Sequence, residues 1–126
     1  MEPVDRQVEV RVAAAEDDHA LAALDRLAEA LARLAEDHSE LARRVDELRH
    51  ARRGGGGWRE LLGAEEAPGS MQLLSRMLAR LSEASGEVRR ELVGGLRREG
   101  ATIPAVARLF GVTHQRVSNL LRRGDR

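Results

Sequence analysis

Apolar residues at alternating spacings of three and four run through the first half of the chain. They form two rows, one of leucines only and one of mixed residues: Leu27, Leu34, Leu41 and Leu48 in the first, and Leu24, Leu31, His38 and Val45 in the second. A single helix cannot bury such a stripe, because its side chains project outward into solvent unless another helix covers them. We therefore predict a long helix over residues 16–53 that packs against a partner helix.

Two partners are open to this helix. A second copy of the chain would make a coiled-coil dimer with the two rows as its seam, and the small residues Ala28, Ala35 and Ala42 beside the seam would permit close approach. His38 interrupts the mixed row, and a single polar residue there can set register or strand number. The alternative is that the helix folds back against the chain's own helices. We expect the dimer.

The segments on either side of this helix carry weaker patterns. Residues 8–12, VEVRV, alternate apolar and charged residues, so the N-terminal arm at 1–15 is either a short strand or disordered. Four glycines at 54–57 disfavour continued helix and predict a flexible linker. They are not a phosphate-binding loop, since the chain has no Lys.

Residues 58–126 are predicted to form a helical domain, because Ala, Leu, Glu and Arg dominate the chain. Trp58 begins one helical turn, and a loop follows it. Ser70 is expected to cap a helix with a broad apolar face that needs burial on more than one side: Met71, Leu73, Leu74, Met77, Leu78 and Leu81. Gly86 is expected to break or bend the chain before a helix at 87–99, in which Val88, Leu92 and Leu96 are expected to point inward. The predicted fold class is all-α.

Composition argues against most enzyme and membrane classes. There is no Cys, which excludes disulfides, thiolate metal sites and a cysteine nucleophile. The four histidines lie far apart without metal-ligand spacing, and no Ser–His–acid pattern stands out. We therefore predict no enzyme activity, no cofactor and no metal. No apolar run is long enough to span a membrane and the N-terminus lacks a signal-peptide layout, so we expect a cytoplasmic protein.

Charge is distributed unevenly along a chain whose net charge is zero. Residues 1–53 contain 13 acidic residues and 9 arginines, whereas residues 86–126 contain 4 acidic residues and 9 arginines. A basic balance in the last third is typical of a segment that contacts a polyanion, although a solvated basic helix face is the alternative.

Residues 100–123, GATIPAVARLFGVTHQRVSNLLRR, predict two short helices joined by a turn. Thr102 can cap the first helix, Gly111 suits the left-handed conformation that ends it, and Thr113 can cap the second. Val112 and Val117 are placed to form a hydrophobic staple. The side chains expected to point inward are Val106, Ala107, Phe110, Val117, Leu120 and Leu121.

The positions of Ala107, Gly111, Val112, Val117 and Leu120 resemble the helix-turn-helix signature of bacterial regulators, resolvase-type recombinases and region four of sigma factors. The resemblance covers residues 102–123 and includes 87–99 if that segment is the preceding scaffold helix. It implies that the second helix enters the major groove with outward positions near the bases: Thr113, His114, Gln115, Ser118, Asn119 and Arg122. Recombinase activity does not carry over, because residues 1–85 resemble no catalytic domain.

Side-chain chemistry agrees with this resemblance. Gln and Asn can pair with adenine and Arg with guanine, while Arg108, Arg116, Arg122 and Arg123 can attract phosphates. We therefore expect a homodimeric, nucleoid-associated bacterial protein that binds double-stranded DNA in a sequence-specific way and regulates transcription. The alternative is an adaptor whose coiled coil binds another helical protein, with the transcription machinery as a candidate partner and without DNA binding. A structural coiled-coil scaffold is a weaker third alternative.

Overall fold

The computed structural model describes residues 18–124, which form helices and no strand. This confirms the all-α fold class. The helices are α1 (His19–Arg53), α2 (Trp58–Gly63), α3 (Ser70–Arg98), α4 (Ile103–Phe110) and α5 (His114–Gly124). The predicted arm at 1–15 lies outside the described residues. Within the described range, no helix combines the length and apolarity needed to cross a membrane.

Helix α1 begins and ends with defined caps. The Asp18 Oδ1 atom accepts a hydrogen bond from the Leu21 N–H at 3.1 Å, which satisfies one of the free donors of the first turn. At the other end Gly55 has φ 102°, and the Gly56 N–H donates to the Ala51 carbonyl at 3.1 Å. This is a Schellman ending, in which the left-handed residue must be one without a Cβ penalty.

The glycines at 54–57 form a turn in which most positions have a specific structural role. A Cβ added at Gly56 would lie 3.0 Å from the Leu61 side chain, so only glycine fits there without a shift. Gly57 precedes α2 in an extended conformation, and its carbonyl accepts the first helical hydrogen bond, from Leu61, at 2.9 Å. The Arg52 guanidinium lies 4.8 Å from the ring centre of Trp58, which stays half-exposed.

Helix α3 runs without interruption through Gly86, so the expected break at this residue is wrong. Gly86 does not have a positive φ, and a Cβ at its position would meet only the end of the Arg90 side chain. A glycine inside a helix costs about 1 kcal/mol relative to alanine. Burial of Ala84 and Val88 on either side offsets this cost.

Ser70 does not act as the expected cap of α3. The Gly69 carbonyl accepts the first helical hydrogen bond, from Leu73, and the Gly69 N–H donates to Gln72 Oε1 at 3.0 Å. Gly69 is therefore the capping residue, with Gln72 reaching back as in half of a capping box. The buried Ser70 instead donates from its N–H and its hydroxyl to the Glu65 carboxylate.

The chain divides into two compact units, and the division does not fall at the glycine run. One unit is Ala28–Ala84; the other combines, among the described residues, 18–27 with 85–124. Within Ala28–Ala84, Asp37 pairs with Arg80 at 3.0 Å, and Arg44 donates to the Pro68 carbonyl. Because a later residue of α1 meets an earlier residue of the α3 side, the two helices run antiparallel in this unit.

The second unit is built around a core from three helices. Its buried residues come from the end of α3, from α4 and from α5: Val93, Val106, Ala107, Val117 and Leu120. Partly buried side chains surround them: Leu96, Ala101, Ile103, Phe110, Val112 and Leu121. At the start of α1, Arg26 Nε donates to Glu87 at 2.8 Å, and Ala20 and Ala23 are buried. This core fixes the position of α5.

Candidate nucleic-acid interface

The turn between α4 and α5 is specified by its sequence. The Thr102 hydroxyl accepts a hydrogen bond from the Ala105 N–H at 3.2 Å, which confirms the predicted cap of α4. Gly111 ends the helix with φ 64° and ψ 35°. The Val112 N–H donates to the Ala107 carbonyl and the Gly111 N–H to the Arg108 carbonyl, so this end too is a Schellman motif.

Thr113 caps the start of α5 as predicted. Its hydroxyl accepts from the Arg116 N–H at 3.1 Å, and its carbonyl accepts from the Val117 N–H at 3.2 Å. Val112 and Val117 both pack into the core, as a hydrophobic staple requires. Two caps and a staple therefore hold α5 against α4 at a fixed angle, across only three linking residues.

The predicted contact residues lie on the surface of this unit. Two of those on α5, Ser118 and Asn119, are half-buried. The other six on or next to α5 are exposed: Thr113, His114, Gln115, Arg116, Arg122 and Arg123. Gln115, Asn119 and Arg122 follow at spacings of four and three, opposite the buried Val117 and Leu120. Arg108 is exposed on α4.

Three of these side chains are linked to one another. Asn119 Oδ1 accepts a hydrogen bond from Gln115 Nε2 at 3.3 Å and a second one from Arg122. An asparagine needs both its oxygen and its amide nitrogen to pair bidentately with adenine. Contact with a base would therefore exchange these internal hydrogen bonds for intermolecular ones of the same kind.

Among residues 18–124, the arginines around α5 have no carboxylate partner, and the next acidic residue in the sequence, Asp125, lies outside the described residues. Residues 101–124 contain no Asp or Glu. Among residues 18–124, no ion pair involves Arg108, Arg116, Arg122 or Arg123. Some arginines of the other helices are paired, for example Arg43 with Glu47 at 2.5 Å and Arg80 with Asp37, whereas others such as Arg33 and Arg76 have no ion pair among residues 18–124 either. No acidic side chain of the described residues therefore neutralises the positive charge of this surface.

Charged groups elsewhere in the described chain serve the fold. Hydrogen bonds from the Ser70 hydroxyl and N–H, together with the charge of Arg44, hold the pKa of Glu65 below its ordinary value. A cavity of about 410 Å³ lies beside this network, and four of its five charged lining residues form two ion pairs, Arg43 with Glu47 and Arg44 with Glu65, while the fifth is Glu66. Among residues 18–124, no group of three His, Asp or Glu side chains could hold a metal ion.

The eight predicted dimerisation residues lie on two different sides of α1. Those of the leucine row are half-buried within the chain: Leu27, Leu34, Leu41 and Leu48. Those of the mixed row are exposed: Leu24, Leu31, His38 and Val45. Leu34 and Leu41 lie three or four residues from Asp37 and Arg44, whose partners are on or next to α3, so this row faces α3. The alternative of packing within the chain thus accounts for one row.

Within the described single chain, the apolar stripe of α3 is buried on one side only. We expected burial on more than one side, yet four of its large side chains are more than one-third exposed: Met71, Leu74, Leu78 and Leu81. The converse applies to Val93, which is fully buried although sequence reasoning left it out of the core. The expected inward row Val88, Leu92 and Leu96 was too narrow, since the core contacts a broader face of α3.

Comparison with protein-family models, with curated proteins and with solved structures gave no match.

Proposed function

We propose that the protein binds double-stranded DNA in a sequence-specific way, with α5 in the major groove, and regulates transcription. The observation that carries the proposal is the outward face of α5. There Gln115, Asn119 and Arg122 form a polar row beside arginines that have no carboxylate partner among the described residues. Packing does not require any of these residue types at these positions.

The dimensions of α5 suit this task. Its 11 residues extend over about 16 Å at 1.5 Å per residue, and a major groove about 12 Å wide admits such a helix. The polar row would reach base edges, where Gln and Asn pair with adenine and Arg with guanine. Arg108, Arg116 and Arg123 would contact phosphates, which position the protein without reading sequence.

Two copies would strengthen this interaction. A single helix-turn-helix covers one short half-site, and a dimer places two recognition helices on half-sites one helical turn or more apart. The second contact then forms at high effective concentration. The exposed mixed row of α1 supports association through this helix, as the predicted coiled coil requires.

Fluorescence anisotropy with a labelled mixed-sequence duplex tests the basic contact. We expect binding at low salt. The logarithm of the affinity should fall linearly with the logarithm of the salt concentration, because binding releases counterions from the DNA and this release is less favourable at higher salt. Absence of binding at low salt would instead favour the adaptor, in which the exposed apolar side chains bind another helical protein and α5 contacts no DNA.

A further inference from the structure

One side of the unit Ala28–Ala84 carries a continuous apolar face without a partner in the described chain. Helix α1 contributes Leu31 and Val45, which are 51% and 38% exposed. Helix α3 contributes four side chains at spacings of three and four: Met71, Leu74, Leu78 and Leu81, of which Leu78 is 61% exposed. Exposed His38 and alanines complete the α1 row: Ala28, Ala35 and Ala42.

Both rows lie on the same side of the α1–α3 pair. In each helix, the exposed residues come one position after those that face the other helix: His38 follows Asp37 in α1, and Leu81 follows Arg80 in α3. One position is a rotation of 100° about a helix axis. Because the two helices are antiparallel, this 100° step is clockwise in one helix and anticlockwise in the other when both are viewed from the same end. Both exposed rows therefore lie on the same side of the helix pair. They form one face, which we call the two-helix face.

Charge is excluded from the two-helix face. None of its ten positions carries Asp, Glu or Arg, although one-third of the chain is charged. With about 180 Å² of accessible surface for a fully exposed residue, its six large apolar residues together expose roughly 500 Å². This area is at the upper end of the apolar patches that soluble monomers expose. Two copies together would bury roughly 1,000 Å² from these residues alone, which is about the minimum expected of a specific interface.

The face is complementary to itself. Half of the six residues in the α1 row are alanines, whereas all four residues of the α3 row are large. If the second copy is related by a two-fold axis that lies in the plane of the face and runs parallel to the helices, α3 of each copy meets α1 of the other, so the leucines of one row fit against the alanines of the other. An unrelated partner has no such built-in match to this pattern.

We propose that the two-helix face binds a second copy of this chain, so that α1 and α3 of both copies form a four-helix bundle. This specifies the dimer on which the proposed function rests, and it replaces a two-stranded coil of α1 alone with an interface to which both helices contribute. The leucine row of α1 remains inside each copy, and the mixed row faces the partner.

Sedimentation of the full chain tests the proposal with two charge insertions and two matched controls. Leu31→Arg and Leu78→Arg place a cation in the face, whereas Glu36→Gln and Ala79→Arg change the net charge by the same amount at exposed positions outside the face on α1 and α3. We expect the wild type and both controls to be dimers at micromolar concentration. The two face variants should be monomers, with helical circular dichroism preserved.

Leu78→Arg is the decisive variant, because a coil of α1 alone would ignore a change on α3. A dimer that survives Leu78→Arg, or a wild type that is monomeric at high micromolar concentration, overturns the proposal. If Leu78→Arg loses its helical signal, Leu78→Ser takes its place with the same expected outcome. Loss of DNA binding with an intact dimer would reject the proposed function and leave this interface standing.

Discussion

The side-chain oxygen of Asn119 accepts a hydrogen bond from Gln115 Nε2 at 3.3 Å, one turn earlier on α5. Arg122 donates to the same oxygen from the following turn. One residue therefore orients the two others that are best suited to read adenine and guanine. The free protein holds these three side chains together on the face of α5 opposite the buried Val117 and Leu120.

Asn119→Ala should reduce sequence discrimination more than overall affinity. The substitution removes one candidate base contact and releases Gln115 and Arg122 from their shared acceptor. We expect the difference in binding free energy between a preferred and a scrambled duplex to shrink by about 1–3 kcal/mol. Paired titrations measure this difference. An unchanged preference would show that Asn119 does not contribute to base readout.

Arg123→Ala should weaken binding to all duplexes alike, because a phosphate contact carries no sequence information. The slope of log affinity against log salt should fall by about 1. Arg49→Ala is the matched control, since it removes the same charge from a residue that is paired with Asp46 on α1. Equal losses in the two variants would indicate a general effect of net charge and contradict a local contact.

Gly111→Ala should destabilise the second unit. Gly111 has φ 64°, where a Cβ is strained, so we expect a loss of about 1 kcal/mol in the free energy of unfolding. Gly63→Ala is the control, because this glycine ends α2 without a positive φ and with nothing within 4 Å of an added Cβ. It should be neutral or stabilising. Urea denaturation of both variants gives the comparison, and equal effects would argue against the left-handed turn.

Glu65 should make stability depend on pH in the acid range. Hydrogen bonds from Ser70 lower the pKa of Glu65, so the folded chain prefers the charged form. Its contribution is therefore fully present above the ordinary glutamate pKa of 4.5 and is lost as the pH falls through the lower folded pKa. Glu65→Gln should be less stable at pH 7, and its deficit should shrink below pH 4.5. A deficit that stays constant with pH would contradict this assignment.

Local chemistry explains which features could be predicted from the sequence. The hydroxyl caps of Thr102 and Thr113 and the left-handed Gly111 depend on neighbours within four residues, and the structure has all three. The long helix of α1 follows in the same way from its periodicity. For the candidate interface, the outward position of Gln115 and Arg122 follows directly from where Val117 and Leu120 must point.

Features that depend on distant residues could not be predicted. A leucine row indicates that a helix packs against a partner, but it does not identify the partner. Here α3 covers Leu34 and Leu41, while Leu31 stays exposed. Continuity of α3 through Gly86 likewise depends on burial of Ala84 and Val88 by other segments. The two-helix face therefore follows from the antiparallel pairing of α1 with α3 and from neither helix alone.

The most direct test of DNA reading is selection of bound fragments from a random duplex library by the full chain. Sequencing the selected pool should give a motif with two related half-sites, and Asn119→Ala should lose part of that motif. A pool that shows no enriched sequence after repeated rounds, although protein and duplex are recovered together, would contradict sequence-specific binding by α5.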